Sequence, residues 1–195
     1  VPLPSPSFEE VGEGAVDAFT RNGLVRPEGA TILGLPVGWH VYQWGSPQES
    51  RFAVAVEKGG GHSGESGLRA ENLEASAKGG VYTHVKLEAG TYELSVWARA
   101  PEGQTARVAV YLGTAYSPPM KVGDEWQHLV FQNALGEATE RAEINLQNAS
   151  GTAGVVWLDD VALRRVPGVR YELTPDTRPE RPRTLLFSPM NANYL

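Results

Sequence analysis

The sequence lacks several features that would assign it to a large functional class. It contains no cysteine in 195 residues, which excludes disulfide bonds, thiol catalysis and cysteine-based zinc sites. No apolar run approaches the length of roughly eighteen residues that a membrane helix needs, so we expect no membrane partner. The formal net charge is −6, whereas a general nucleic-acid binder presents a basic face. We therefore expect no nucleic-acid partner either.

Signatures of catalysis are also scarce. The four histidines show neither close metal-binding spacing nor a neighbouring nucleophile pattern. The glycine-rich stretch 59–64 lacks the lysine of a phosphate-binding loop, and no strand–loop–helix pattern surrounds it. Carboxylate pairs are present, but acid–base catalysis requires them to converge in a pocket. The sequence therefore favours a non-catalytic protein, with a β-sandwich lyase or hydrolase as an alternative.

The periodicity that is present is that of β-strands. In residues 91–99, Tyr92, Leu94, Val96 and Ala98 alternate with polar or amphipathic positions, which is typical of a strand with one buried face. No segment carries a helical stripe longer than two turns. Short strands separated by glycine- and proline-containing turns predict an all-β protein, an antiparallel β-sandwich of the jelly-roll type. The predicted strands are 38–44, 51–57, 68–73, 80–87, 91–99, 106–112, 125–132, 141–147 and 155–163.

The change in composition along the chain predicts its domain organisation. Residues 1–168 are expected to form one β-sandwich module, and residues 169–195 a proline- and charge-rich linker with the start of a following domain. The absence of an initial methionine and of a leader segment indicates a processed chain or a part of a longer protein. Residues 12–38 have little periodicity and are expected to form a long loop, a length that suggests a function.

The last predicted strand contains two adjacent carboxylates, Asp159 and Asp160, between β-branched and aromatic residues. Because side chains alternate along a strand, we expect the two to point to opposite faces. An isolated buried charge costs several kcal/mol or more, so at least one carboxylate requires a partner. Backbone N–H groups, an arginine and a hard cation are the open alternatives.

Taken together, an ordered set of segments resembles carbohydrate-binding modules of the family 4, 9 and 22 type, which are jelly rolls with a galactose-binding-like fold. The resemblance covers roughly residues 7–165, and no single segment is specific. The segments are Ser7-Phe8-Glu9, Gly38-Trp39, His62-Ser63-Gly64, 87–98, Trp126-Gln127 and 156–161.

This resemblance implies a non-catalytic module that targets an attached glycoside hydrolase to a polysaccharide or oligosaccharide. The implied partners are the glycan and a C-terminal catalytic domain of the same chain. The implied location is secreted or on the cell surface, in a bacterium. A structural jelly roll that packs against the catalytic domain without binding sugar is the first alternative.

The resemblance also implies a structural Ca²⁺ site that joins the first segment, the glycine-rich loop and the last strand. Calcium prefers six to eight oxygen ligands, in which carboxylates and carbonyls are mixed. Glu9, Asp159 or Asp160, and carbonyl groups of residues 58–64 would supply them. In the alternative interpretation, Asp159 accepts hydrogen bonds from loop amides and Asp160 is solvated.

Sugar-binding candidates follow from strand phase, because residues opposite the core set can line an open groove. Aromatic rings stack on pyranose rings, while amides, arginine and carboxylates bind hydroxyl groups. A second hypothesis places the glycan at edge loops, and Trp39 and Trp126 are expected in the core. The face candidates are Trp97, Arg99, Tyr111, Asn145 and Gln147, with Glu93 and Glu143 beside them; the edge candidates are Tyr42, Trp44, Tyr82 and Tyr116.

Overall fold

The parts of the chain that the computed structural model describes are residues 1–11, 35–43, 52–75 and 79–168. Most of the predicted loop 12–38, the candidate Trp44 and the whole predicted following segment 169–195 lie outside these residues. No helix long and apolar enough to cross a membrane occurs within the described ranges.

The described part of the chain is built from eleven strands and contains no helix. The nine predicted strands are present, with ends shifted by a few residues. Residues 8–11, which could also have formed a short strand, contribute only an isolated bridge between Val11 and Pro36. The strands are β1 His40–Gln43, β2 Phe52–Lys58, β3 Ser66–Asn72, β4 Gly79–Leu87, β5 Gly90–Arg99, β6 Ala106–Leu112, β7 Ala115–Tyr116, β8 Met120–Val122, β9 Gln127–Leu135, β10 Thr139–Asn148 and β11 Gly154–Val166.

The strands form two antiparallel sheets. Sheet one has the order β1-β4-β10-β6-β7, with β8 also paired to β6. Sheet two has the order β2-β3-β11-β5-β9. Strands that are distant in sequence thus lie side by side, as β11 does between β3 and β5. This arrangement confirms the predicted antiparallel β-sandwich of the jelly-roll type.

The apolar core lies between the two sheets and follows the predicted alternation. Leu94, Val96 and Ala98 of β5 are completely buried, as are Ile144 and Leu146 of β10. Each fully buried leucine, isoleucine or valine side chain stabilises the fold by about 1.5–3 kcal/mol. The opposite side chains of each strand therefore form the two outer faces of the sandwich.

Trp39 belongs to this core, as predicted. It is 4% exposed, and its ring meets that of Phe8 edge-on at 5.5 Å between centroids. Its indole N–H donates to the carbonyl oxygen of Pro4 at 2.7 Å. The first residues of the chain are thereby attached to the body of the sandwich.

The alternation fails at the two aspartates of β11. The register between β11 and β5 shifts between Asp159 and Ala162, and Asp160 has a φ angle of 47°. An extra residue of this kind bends a strand and redirects its side chains. The prediction that Asp159 and Asp160 point to opposite faces is therefore wrong, because both contact the same loop.

Candidate functional site

The face candidates do not form one groove, because they lie on different sheets. Trp97 and Arg99 belong to β5 of sheet two. Tyr111 belongs to β6, and Asn145 and Gln147 to β10, all in sheet one. Alternation along each strand predicted which residues face away from the core, but it did not predict to which sheet each strand belongs. The molecule thus offers two separate outer faces.

On sheet one, five side chains form a continuous row across five strands. The pairing registers join His40 to Tyr82, Tyr82 to Asn145, Asn145 to Tyr111 and Tyr111 to Tyr116. Adjacent strands lie about 4.8 Å apart, so the row extends over about 19 Å. We call these residues the sheet-one row: His40, Tyr82, Asn145, Tyr111 and Tyr116.

Aromatic rings flank the central amide of the row on both sides. The rings of His40 and Tyr82 lie 5.3 Å apart, and those of Tyr111 and Tyr116 lie 4.6 Å apart. Tyr116 is 45% exposed, whereas Asn145 is only 1% exposed. Tyr82 and Tyr116, predicted to act at edge loops, thus lie on the same face as Tyr111. Two of the edge candidates therefore share this face with the face candidates of sheet one.

The amide of Asn145 is incompletely satisfied. Its Nδ2 donates to Oε1 of Glu143 at 3.2 Å. Its Oδ1 is buried and has no hydrogen-bond partner among the described residues. An unsatisfied buried acceptor costs about 1–3 kcal/mol. The row therefore contains, at its centre, a polar atom that would gain from a hydrogen-bond donor.

Small residues surround Gln147, the next outward position along β10. Its cross-strand neighbours are Gly80 on β4 and Ala109 on β6, neither of which has a bulky side chain. On the far side of Gly80, β1 places Tyr42 at the paired position. Gln147 itself is half-buried between these small residues.

On sheet two, the outer face carries tryptophan, histidine and arginine in close contact. The ring of Trp97 stacks on that of His62 at 4.0 Å and 13°. The guanidinium carbon of Arg99 lies 5.2 Å from the ring centroid of Trp126 and 5.8 Å from that of Trp157. Trp126 is half-buried on this face, so its predicted place in the core is wrong.

Glu93, predicted to lie beside a glycan, is engaged within the protein. Its Oε2 accepts a hydrogen bond from Gln132 at 2.8 Å, and its Oε1 one from Arg164 at 2.6 Å. The hydrogen bond from Gln132 and the contact with Arg164 lower the pKa of Glu93 against the opposing effect of burial. These contacts tie β5 to its two neighbours in sheet two.

Backbone N–H groups compensate the buried carboxylate of Asp159. Oδ2 accepts hydrogen bonds from the amides of His62 at 2.6 Å and Ser63 at 3.2 Å, and Oδ1 from the amide of Asp160 at 2.7 Å. The side chain is completely buried. Burial raises the pKa of Asp159, although these N–H groups oppose the change. Of the three partners that the sequence left open for a buried carboxylate, the structure contains backbone N–H groups of the loop.

Asp160 binds the side chains of the same loop. Its Oδ2 lies 2.7 Å from Nδ1 of His62, and its Oδ1 accepts from the Ser63 hydroxyl at 2.6 Å. Serine, histidine and aspartate thus meet, but Asp160 takes both hydrogen bonds. The serine-to-histidine hydrogen bond that activates a nucleophile is not formed by these atoms. Asp160 is therefore held by partners rather than simply solvated.

Glu9 joins the same loop from the first segment of the chain. Its Oε1 accepts a hydrogen bond from the amide of Ser66 at 2.8 Å. All three predicted metal ligands, Glu9, Asp159 and Asp160, thus contact residues 62–66. Within the described ranges, no group of three or more histidine, aspartate or glutamate side chains is arranged to hold a metal ion. N–H donors already occupy both oxygens of Asp159, so the calcium site stays a prediction.

Comparisons with known proteins support the fold. No protein-family model matches the sequence, and no curated protein matches it. Among solved structures, the CBM22-1 xylan-binding domain from Paenibacillus barcinonensis is 20% identical, with a TM-score of 0.50 over 73% of this chain and 91% of that one. A cyclase from Fischerella sp. TAU, in complex with an indolyl butanone, is 16% identical, with a TM-score of 0.58 over 87% and 98%.

An exo-beta-agarase also contains a similar unit, at 10% identity and a TM-score of 0.50, over 69% of this chain and 24% of that one. At these sequence identities the similarity concerns the fold alone. The same fold occurs in a binding module and in a cyclase. A function must therefore be argued from the site. The chain has the jelly-roll β-sandwich fold found in carbohydrate-binding modules.

Proposed function

We propose that the protein is a non-catalytic carbohydrate-binding module that holds a glycan against the sheet-one row. The observation that carries this proposal is the register of the row, which places two pairs of aromatic rings on either side of the Asn145 amide. Flat rings match the C–H faces of pyranose rings, and buried amides orient hydroxyl groups. The xylan-binding domain with the same fold supports this choice of ligand class.

Each part of the row has a separate task in this proposal. Tyr116, which is 45% exposed, stacks on a sugar. A sugar hydroxyl entering between Tyr82 and Tyr111 donates to Oδ1 of Asn145 and satisfies it. Gln147 contacts the next sugar beside Gly80, its cross-strand neighbour. A site that hydrogen-bonds hydroxyl groups discriminates strongly against ligands that lack them.

Affinity electrophoresis against neutral polysaccharides tests this proposal. We expect a xylan, a mixed-linkage glucan or a galactan to retard the wild type. Tyr116→Ala should cost about 2 kcal/mol, roughly thirty-fold in affinity, as expected for an aromatic anchor. Trp97→Ala, on the opposite sheet, is the matched control and should be retarded like the wild type. Retardation by none of the polymers would favour the structural alternative, and loss only with Trp97→Ala would move the site to sheet two.

We further propose that the module acts by targeting. Modest affinity for a polymer raises the effective substrate concentration of a tethered catalytic domain. The proposed partner is a glycoside hydrolase domain C-terminal to residue 168, in a bacterial protein that is secreted or displayed at the cell surface. The presence of an agarase with a similar unit supports this arrangement. Fusing the module to a hydrolase should raise activity on insoluble polymer and leave activity on soluble oligosaccharides unchanged.

A structural calcium ion remains part of the proposal. Glu9 and Asp160 are the carboxylates that would turn toward it, because the amides of the loop already hold Asp159. An ion bound only by the folded state must raise its stability. The midpoint of thermal unfolding should therefore rise on addition of Ca²⁺ to chelator-treated protein and fall again with excess chelator. An unchanged midpoint would remove the ion from the account.

A further inference from the structure

The outer face of sheet two contains a cation without a counter-charge. Arg99 makes no ion pair or hydrogen bond within the described ranges, and its Nε is buried without a partner. A buried, unpaired charged group is costly. Two other arginines of sheet two have acidic partners. Arg69 lies 2.8 Å from Glu71 and 3.9 Å from Glu57, and Arg164 lies 2.6 Å from Glu93. Arg99 thus differs from these two arginines, because no acidic side chain pairs with it among the described residues.

Two indole rings fix the position of this cation. Arg99 pairs in register with Trp157 on β11, and its guanidinium carbon lies within 6 Å of the centroids of Trp157 and Trp126. Trp157 in turn packs on Gly60, where an added Cβ would collide with the ring. Cation–π contacts of this kind contribute about 0.5–2 kcal/mol. They orient the guanidinium but leave its hydrogen-bond donors without an acceptor.

Flat aromatic surface continues from this cation along β5. Trp97, two residues before Arg99 on the same face, is half-buried, as are Trp126 and Trp157. His128, cross-strand from Trp97, is exposed, and its ring stacks on the tryptophan at 5.0 Å. Partly exposed aromatic rings that lie together on a surface are typical of interaction sites.

We propose that this face is a second ligand site, which takes a sugar ring that carries an anionic group. The guanidinium offers parallel N–H donors that match a carboxylate or a sulfate, and the flanking indoles offer a stacking surface for the ring. The ligand class is an acidic glycan, such as a uronate or a sulfated sugar. The site is independent of the sheet-one row, because the core of the sandwich separates the two faces.

Titration of the protein with trigalacturonate, followed by tryptophan fluorescence, tests the proposal, since three of the five tryptophans lie in the patch. A sulfated oligosaccharide of the agar type forms a second arm and distinguishes sulfate from carboxylate recognition. We expect saturable binding of one of the two. Arg99→Gln should weaken that binding at least tenfold, and Arg99→Lys less, because lysine keeps the charge but not the planar pair of donors.

Two control variants show whether binding depends on this particular cation and this face. Arg107→Gln removes the same charge from an exposed position and should leave the affinity unchanged. Tyr116→Ala, which should weaken binding of neutral glycans, should leave the affinity for the acidic ligand unchanged. Absence of binding in both arms, equal loss with Arg107→Gln, or loss with Tyr116→Ala would each overturn the second site. Because Arg99→Lys retains the charge, it serves as the test if Arg99→Gln unfolds.

Discussion

Truncation of Asp159 should reveal how firmly the last strand holds the glycine-rich loop. Asp159→Ala removes the acceptor of three backbone N–H groups, those of His62, Ser63 and Asp160. Each donor left unsatisfied in a buried place costs about 1–3 kcal/mol. The longest of the three bonds, at 3.2 Å, contributes least. We therefore expect a loss of about 3 kcal/mol in the free energy of unfolding.

The neighbouring residue provides a matched control for this experiment. Asp160→Asn keeps an acceptor for the Ser63 hydroxyl and tolerates the left-handed backbone conformation. Its bonds lie at the surface, so it should cost under about 1 kcal/mol. For a domain of this size, 1 kcal/mol shifts the melting temperature by roughly 2–4 °C. Asp159→Ala should therefore melt about 6–12 °C below the wild type.

Thermal unfolding followed by circular dichroism in excess chelator measures both variants without any contribution from a bound cation. Equal melting temperatures for Asp159→Ala and Asp160→Asn would refute the idea that backbone amides stabilise the buried carboxylate. A large loss of stability in Asp159→Ala that occurs only in a parallel measurement with Ca²⁺ would also refute this idea, and would favour a metal ion.

Two further predictions concern pH and packing. The lowered pKa of Glu93 stabilises the fold above the usual value of 4.5, so the advantage of wild type over Glu93→Gln should shrink on acidification below it. The pKa of Asp159 is raised instead, so the free energy of unfolding of wild type should increase relative to that of Asp159→Asn as the pH falls toward the usual value of 3.8. Urea unfolding measures both effects, and pH profiles of wild type and variant that run parallel would contradict them. Gly60→Ala should cost about 1–3 kcal/mol by overpacking Trp157, whereas Gly136→Ala, with open space around it, should be neutral in the same assay.

The strands could be predicted from the sequence because alternation is a local property. Leu94, Val96 and Ala98 of β5 repeat every second residue, and the structure buries all three. Only the shortest strands were missed: β7 and β8 have two and three residues, too few to show a period. Their positions depend on pairing with β6, which the sequence does not display.

The candidate site could be predicted only in part, because its residues come together through long-range pairing. Tyr111 and Trp97 both lie opposite the core positions of their strands, yet they belong to different sheets. The sheet-one row requires β10 to lie between β4 and β6, and Tyr82 therefore joins Asn145 across more than sixty positions in the chain.

The last strand shows a different limit of sequence analysis. Two-residue alternation predicted that Asp159 and Asp160 point in opposite directions, but the bulge at Asp160 interrupts the alternation there. An aspartate alone does not identify a residue with positive φ, because few non-glycine residues adopt that conformation even though aspartate is enriched among them. The prediction that a buried carboxylate requires a partner nevertheless held, because it rests on the cost of burial rather than on geometry.

The central claim, that a glycan lies across sheet one, is tested most directly by nuclear magnetic resonance. Backbone amide signals of ¹⁵N-labelled protein would be followed during titration with a neutral oligosaccharide selected by electrophoresis. We expect saturable chemical-shift changes that are concentrated on β4, β6, β7 and β10 and are largest near Asn145 and Gln147. Shifts confined to sheet two, or none at concentrations that saturate the electrophoretic retardation, would contradict it.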